Sequence, residues 1–233
     1  MADVIDYTIL GSDMQLVEIT LDPGEGVRAE VGAMTYMDDG ITMDTGTGGG
    51  LMKGFKRMMA GESFFITTYL NTAQQRRKLA FSAAYPGKIL PIDLAGMGGS
   101  FICQKNAFLC AAQGIEIEVS FTKRFGAGLF GGEGFILQNL QGDGLAFIQA
   151  GGTLIERELA DGESLFIDTG CLVGFSPSVQ YDIQMVGGFK NKLFGGEGLF
   201  LARMTGPGRV WLQSMPFSRL ADRILALTNT KHG

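Results

Sequence analysis

Histidine occurs once in these 233 residues, at His232 beside the last residue, where chain ends commonly fray. Histidine-based acid/base chemistry and a Ser-His-Asp arrangement are therefore not expected. Cysteine is nearly as scarce. Cys103, Cys110 and Cys171 lack the paired spacing of a zinc site and have no His to activate them, so buried free thiols are the expectation. One Trp, a pI near 5.0 and a net charge of -5 leave little of the positive surface that nucleic acid binding demands. No apolar run approaches the roughly 18 residues that cross a bilayer. The opening Met1-Ala2-Asp3-Val4 does not read as a signal peptide, and free thiols suit a reducing compartment, so a cytoplasmic location is expected. This inventory assigns no catalytic residue, no cofactor and no metal ligand.

What the chain has in abundance is glycine, 36 residues, with 45% hydrophobic and only 18% charged residues. That composition suits a turn-rich β protein with a large core. A glycine-rich stretch ends three times in a Gly-Glu pair, at Gly61-Glu62, Gly132-Glu133 and Gly196-Glu197, and an apolar segment follows each. The glutamates are 71 and 64 residues apart, a period of one small β unit per copy. Leu21-Asp22-Pro23-Gly24-Glu25-Gly26-Val27 matches Leu159-Ala160-Asp161-Gly162-Glu163-Ser164-Leu165, with a looser copy from Leu94 to Phe101. Each reads as strand, turn, strand. Leu145–Ala150 corresponds to Arg209–Ser214, and the tight turns Gly142-Asp143-Gly144 and Gly206-Pro207-Gly208 mark them as closing hairpins. Pro86-Gly87 and Gly151-Gly152 break the chain between copies. Three units follow: 1–84, 85–150 and 151–233.

Period-two patterning predicts the strands. Ile115, Ile117, Val119 and Phe121 alternate with Glu116, Glu118 and Ser120, and Val179, Tyr181, Ile183 and Met185 alternate with Gln180, Asp182 and Gln184. Both predict half-buried antiparallel strands. Phe135-Ile136-Leu137 and Leu199-Phe200-Leu201 are unbroken apolar runs, expected to be covered on both faces. Helical spacing appears twice. Leu51, Phe55, Met58 and Met59 suggest a short amphipathic helix, and Met215–Leu227 a terminal helix capped by Ser218, with Leu220, Ile224 and Leu227 on one face that packs on the sheet or on a neighbouring chain.

Gly126-Ala127-Gly128-Leu129-Phe130-Gly131 spells a dinucleotide fingerprint. No helix is predicted to follow it, so a phosphate has no helix N-terminus to meet. Glu62, Glu133 and Glu197 have two readings. Converging carboxylates can hold a cation, but a carboxylate accepting from the amides of its own glycine-rich turn fixes that loop, and the second role is preferred. Ahead of each Gly-Glu pair stands a basic and apolar cluster: Phe55, Lys56 and Arg57; Lys123, Arg124 and Phe130; Phe189, Lys190, Lys192 and Phe194. On an acidic chain these loops are candidate surfaces for anionic headgroups or a protein partner. Their alternative role is structural, with the Phe rings folded back onto each unit.

The run Val27–Met37, the phrase Gly131-Gly132-Glu133-Gly134 and the string Phe166–Phe175 resemble the altered-inheritance-of-mitochondria family, number twenty-four. The likeness extends from about Gln15 to Gln213. It implies an all-β fold like the tryptophan RNA-binding attenuation protein, with three tandem β-sandwich units of the double-stranded β-helix type and a short C-terminal helix. It also implies a homotrimer whose nine units close a ring. The family often carries His after Asp168-Thr169-Gly170, where this chain has Cys171, so no imidazole role carries over. The expected function is a non-enzymatic ring scaffold, peripheral to a membrane or membrane-linked complex. A small-ligand binder with pockets between units is the alternative, and nucleic acid is not an expected partner.

Overall fold

The computed structural model describes residues 1–44, 66–123, 135–186 and 199–229. In chain order the strands are β1 (Asp6–Leu10), β2 (Leu16–Leu21), β3 (Gly26–Glu30), β4 (Met34–Met37), β5 (Ile41–Asp44), β6 (Ile66–Asn71), β7 (Arg77–Ser82), β8 (Gly87–Asp93), β9 (Ser100–Gln104) and β10 (Phe108–Ala112). They continue as β11 (Glu116–Lys123), β12 (Phe135–Gln141), β13 (Leu145–Gly151), β14 (Leu154–Leu159), β15 (Ser164–Asp168), β16 (Leu172–Phe175), β17 (Gln180–Val186), β18 (Leu199–Thr205) and β19 (Gly208–Gln213), before the helix α1 (Phe217–Asn229). Four antiparallel sheets result, ordered β1-β2-β7-β4, β5-β6-β3-β10-β13-β8, β11-β12-β9-β16-β19-β14 and β15-β18-β17. The described residues are mostly β, with one short C-terminal helix.

The strand orders obey one rule. Every strand of the first six-stranded sheet is matched, in the same place, by the strand six positions later in the second. The three-stranded sheet repeats one half of that pattern. The four-stranded sheet repeats the other half, with β1 added outside β2. Two units can be separated by contact, the first built on the four-stranded and first six-stranded sheets, the second on the other two sheets.

Within the first unit, Val17, Ile19, Leu21, Leu79 and Phe81 are buried with Val27, Ala29 and Tyr69. The Tyr69 and Phe81 rings meet edge to face at 5.3 Å. Within the second, Phe135, Leu137, Leu172, Phe175 and Val210 pack against Ile167, Ile183, Ala202 and Met204. In each, two sheets cover one core, which removes the large apolar fraction of the chain from water.

The tight turns do not make hairpins. β2 and β3, β14 and β15, β12 and β13, and β18 and β19 each fall in different sheets, so these turns are corners where the chain changes sheet. A glycine with positive φ looks the same in a corner as in a hairpin. The copies hold their corners identically. Glu25 Oε2 accepts from Asp22 N at 2.8 Å and Glu163 Oε2 from Ala160 N at 2.9 Å. The backbone carbonyls of the same two glutamates accept from Asn71 N and Gly206 N, both at 2.9 Å.

The alternating segments form strands β11 and β17. Ile115, Ile117, Val179 and Ile183 are buried, but Val119, farther along the edge strand β11, is exposed. Helix α1 begins at Phe217, so Ser218 lies inside the first turn and the Pro216 carbonyl accepts from Leu220 N. Ile224 is 56% and Leu227 72% exposed, so within one chain this stripe is not covered by the sheet. The helical spacing at Leu51–Met59 lies outside the described residues.

Two junction features fix the paired strands. Gly174 of β16 faces β9 so closely that an added Cβ would meet the Phe101 ring at 2.5 Å and Ile102 O at 2.8 Å. Gln149 and Gln213, on equivalent strands, reach main-chain groups elsewhere. Gln149 Oε1 accepts from Ala84 N at 2.9 Å, and Gln213 Oε1 from Gly151 N at 2.8 Å while its Nε2 donates to Gly170 O at 2.9 Å. Gln213 is 5% exposed, so its partners have little access to water. Gln213→Ala is expected to lower stability by about 1–3 kcal/mol, the cost of an orphaned buried group. Urea unfolding followed by circular dichroism should show a lower midpoint and an unchanged slope; an unchanged midpoint would remove the latch role.

Candidate functional site

Three loops were singled out by sequence, and the strands show where they leave the fold. Residues 45–65 link β5 to β6, 124–134 link β11 to β12, and 187–198 link β17 to β18. Each pair is adjacent and antiparallel, as in Asp44 opposite Thr68 and Val186 opposite Leu199. β5, β11 and β17 are each the outermost strand of their sheet, so the three linking segments follow equivalent edge strands. Phe55, Lys56, Arg57, Glu62, Arg124, Phe130, Glu133, Phe189, Lys190, Lys192, Phe194 and Glu197 lie outside the described residues. Lys123 ends β11, and its side chain is likewise outside them.

The described polar groups form local clusters. Asp168 Oδ1 accepts from Gly170 N at 2.9 Å, capping the 3-10 turn Thr169–Cys171, and Asp168 Oδ2 accepts from Arg219 Nη2 of α1 at 2.6 Å. This pair ties the helix start to the turn that bears Cys171. Burial, followed by the Asp168 carboxylate, pushes the Cys171 thiol up, while Arg219 opposes the shift. Burial alone raises Cys103 and Cys110, both fully buried. All three thiols are free and are held in the protonated, weakly nucleophilic form.

Around the single Trp, Trp211 Nε1 donates to Glu156 Oε2 at 3.2 Å, Arg209 Nη1 bonds Glu156 Oε1 at 3.3 Å, and the Arg209 guanidinium lies 5.3 Å from the ring centroid. Phe101 abuts Trp211 edge to face at 5.2 Å. Trp211 is 2% exposed and offers no stacking surface to solvent. Among the described residues no group of three or more His, Cys, Asp and Glu gathers for a metal. No described helix is long and apolar enough to cross a membrane.

Sequence reasoning passed over the strand edges. Every residue of β10 and β16 is buried. Their counterpart β4 runs half-buried, then exposed at Thr35, Tyr36 and Met37. Among the described strands it borders only β7, whereas β10 is flanked by β3 and β13, and β16 by β9 and β19. Tyr36 donates to the Glu18 carboxylate, which also binds Lys78 Nζ at 2.7 Å. The Lys78 and Tyr36 bonds hold the Glu18 carboxyl below its ordinary range, and the same Glu18 bond raises the Tyr36 phenol. At the other end, Phe166 on β15 is 56% exposed with the Arg203 guanidinium 5.9 Å from its ring centroid. Among the described strands β15 borders only β18. Sequence carried only part of the signal, the apolar Met37 and Phe166 themselves; that the counterparts of their strands are internal comes from the strand order.

The comparisons agree with this architecture. The chain is 29% identical over 217 residues to an uncharacterised protein of Streptococcus pyogenes serotype M6, covering 90% of this chain and 85% of that one. An X-ray crystal structure of a Streptococcus pyogenes protein superposes with a TM-score of 0.79 at 26% identity, covering 96% of this chain and 99% of that one. The model of the mitochondrial biogenesis AIM24 family matches residues 7–215. This chain belongs to the mitochondrial biogenesis AIM24 family.

Proposed function

We propose that this protein is a non-enzymatic, ring-forming scaffold. It comprises three tandem β-sandwich units of the double-stranded β-helix type, spanning 1–84, 85–150 and 151–233, like those of the tryptophan RNA-binding attenuation protein. Three chains close one ring, which works in the cytoplasm at the periphery of a membrane or a membrane-linked complex. The observation that carries this reading is the recurrence of one strand order every six strands, with a half-pattern at each end. Such a chain is built to continue. A heterologous contact that repeats this geometry closes a ring when its rotation allows.

The membrane part rests on the basic and aromatic clusters, which recur in the loops from equivalent edge strands. Three chains would present nine such loops, and multivalent display makes weak individual contacts effective. Flotation with vesicles rich in phosphatidylserine tests it. The wild type is expected to co-float, and the combined Phe55→Ser, Phe130→Ser and Phe194→Ser variant to lose most of that binding. Absence of binding by both proteins would remove the lipid role and leave the scaffold.

A small-ligand role is the second reading, favoured by one residue. Gln138 on β12 is fully buried, and neither its Oε1 nor its Nε2 has a hydrogen-bond partner. Such an amide costs about 1–3 kcal/mol and is a natural recognition group. If it serves a ligand, thermal shift against amino acids and nucleotides should find one that raises the Tm of the wild type and not of Gln138→Leu. Zero shift throughout, with Gln138→Leu simply more stable, would leave it as a buried amide without a binding role.

A further inference from the structure

We propose that β4 of one chain pairs antiparallel with β15 of a second copy, with Met37 opposite Phe166, joining the four-stranded and three-stranded sheets into one continuous sheet. This rests on the ring-forming reading and supplies its contact. The template is present twice in the chain. In one six-stranded sheet β3 pairs with β10, Cys110 opposite Ala29 and Ala111 opposite Arg28. In the other, β9 pairs with β16, Gly174 opposite Cys103 and Phe175 opposite Ile102.

The counting rule transfers this pairing. β4 stands six places before β10, and β15 six places after β9. Residue equivalences follow without a gap, because the bulges coincide: between Met34 and Tyr36 against β7, between Phe108 and Cys110 against β13, and between Leu172 and Gly174 against β19. Tyr36 is thus the counterpart of Cys110 and Gly174, and Met37 that of Ala111 and Phe175. On the other side, the matched corners at Glu25 and Glu163 make Phe166 the counterpart of Arg28, and Ile167 that of Ala29. The equivalent 3-10 turns Lys105–Ala107 and Thr169–Cys171 make Phe166 also the counterpart of Ile102. Both templates therefore give one register: Tyr36 opposite Ile167, Met37 opposite Phe166, Asp38 opposite Leu165.

Three observations select these two edges among the eight that four open sheets provide. β5, β11 and β17 are outermost in every repeat, and β8 and β14 are likewise terminal, so the pattern leaves them as edges. β2 would be terminal too, but β1 covers it. β4 and β15 alone have internal counterparts. Their exposure differs accordingly: Met37 is 37% exposed where Ala111 and Phe175 are at zero, and Phe166 is 56% exposed. Pairing would bring the Met37 thioether and the Phe166 ring together, a favourable sulfur-aromatic contact. An open edge with exposed apolar side chains is a template for another chain, and here the complementary edge exists once on every copy. A second copy is thus the partner that fits.

Met37→Cys and Phe166→Cys placed in one full-length chain, in a Cys171→Ser background, test the register by copper-phenanthroline oxidation. Non-reducing electrophoresis is expected to move most of the 24.9 kDa band to its multiples. Each single variant should stay at the monomer position, as should Asp39→Cys with Phe166→Cys. Light scattering on the same protein before oxidation separates this proposal from the reading beneath it. An oligomer that does not cross-link overturns the β4–β15 pairing and leaves the ring. A folded monomer at tens of micromolar overturns both. A cross-linked monomer, running faster without multiples, assigns the contact to one chain and overturns the second copy as partner.

Discussion

The backbone ladder between half-sheets is the interaction on which the rest of this structure depends. Three strands with one apolar face are near the lower limit of what stands alone in water, and each repeat supplies its strands in two such groups. A group becomes internal only when the next repeat adds its own: β3 with β10, β9 with β16. The constraint explains why every residue of β10 and β16 is buried. It also explains why a glycine is needed at Gly174, where the Phe101 ring and the Ile102 carbonyl leave no room for a Cβ. The chain begins and ends with half-sheets, and their exposed Met37 and Phe166 are the consequence of the same rule.

Several polar side chains of the described residues hold this framework together. Glu25 and Glu163 pin corners, Gln149 and Gln213 hold main-chain amides, and Asp168 joins a 3-10 turn to the helix through Arg219. Glu25 and Glu163 each fix their own turn, the role expected of Glu62, Glu133 and Glu197, which lie outside the described residues. Burial disarms Cys103 and Cys110 as nucleophiles, and Cys171 is shifted the same way.

Much of the fold was legible from local pattern. Alternation placed Ile115, Ile117, Val179 and Ile183 in the core, and the match of Leu21–Val27 to Leu159–Leu165 located two corners that share their hydrogen bonds. What local pattern could not supply was the sheet each strand joins. Gly24 and Gly162 adopt positive φ, as hairpin glycines do, yet the strands on either side of each diverge into separate sheets; that choice is made by long-range pairing, not by the turn. The stripe of α1 makes a related point. Spacing shows that Leu220, Ile224 and Leu227 share a face but not what lies opposite it. The candidate loop clusters were legible as composition, and their edge-strand origin emerged only from the topology.

Amide hydrogen exchange across β4 and β15, compared with β10 and β16 over a dilution series, tests the central claim most directly. The account predicts protection at Met34–Met37 and Ser164–Asp168 close to that of the internal strands at high concentration, falling together on dilution while β10 and β16 stay protected. Fast exchange at both edges at every concentration would contradict it.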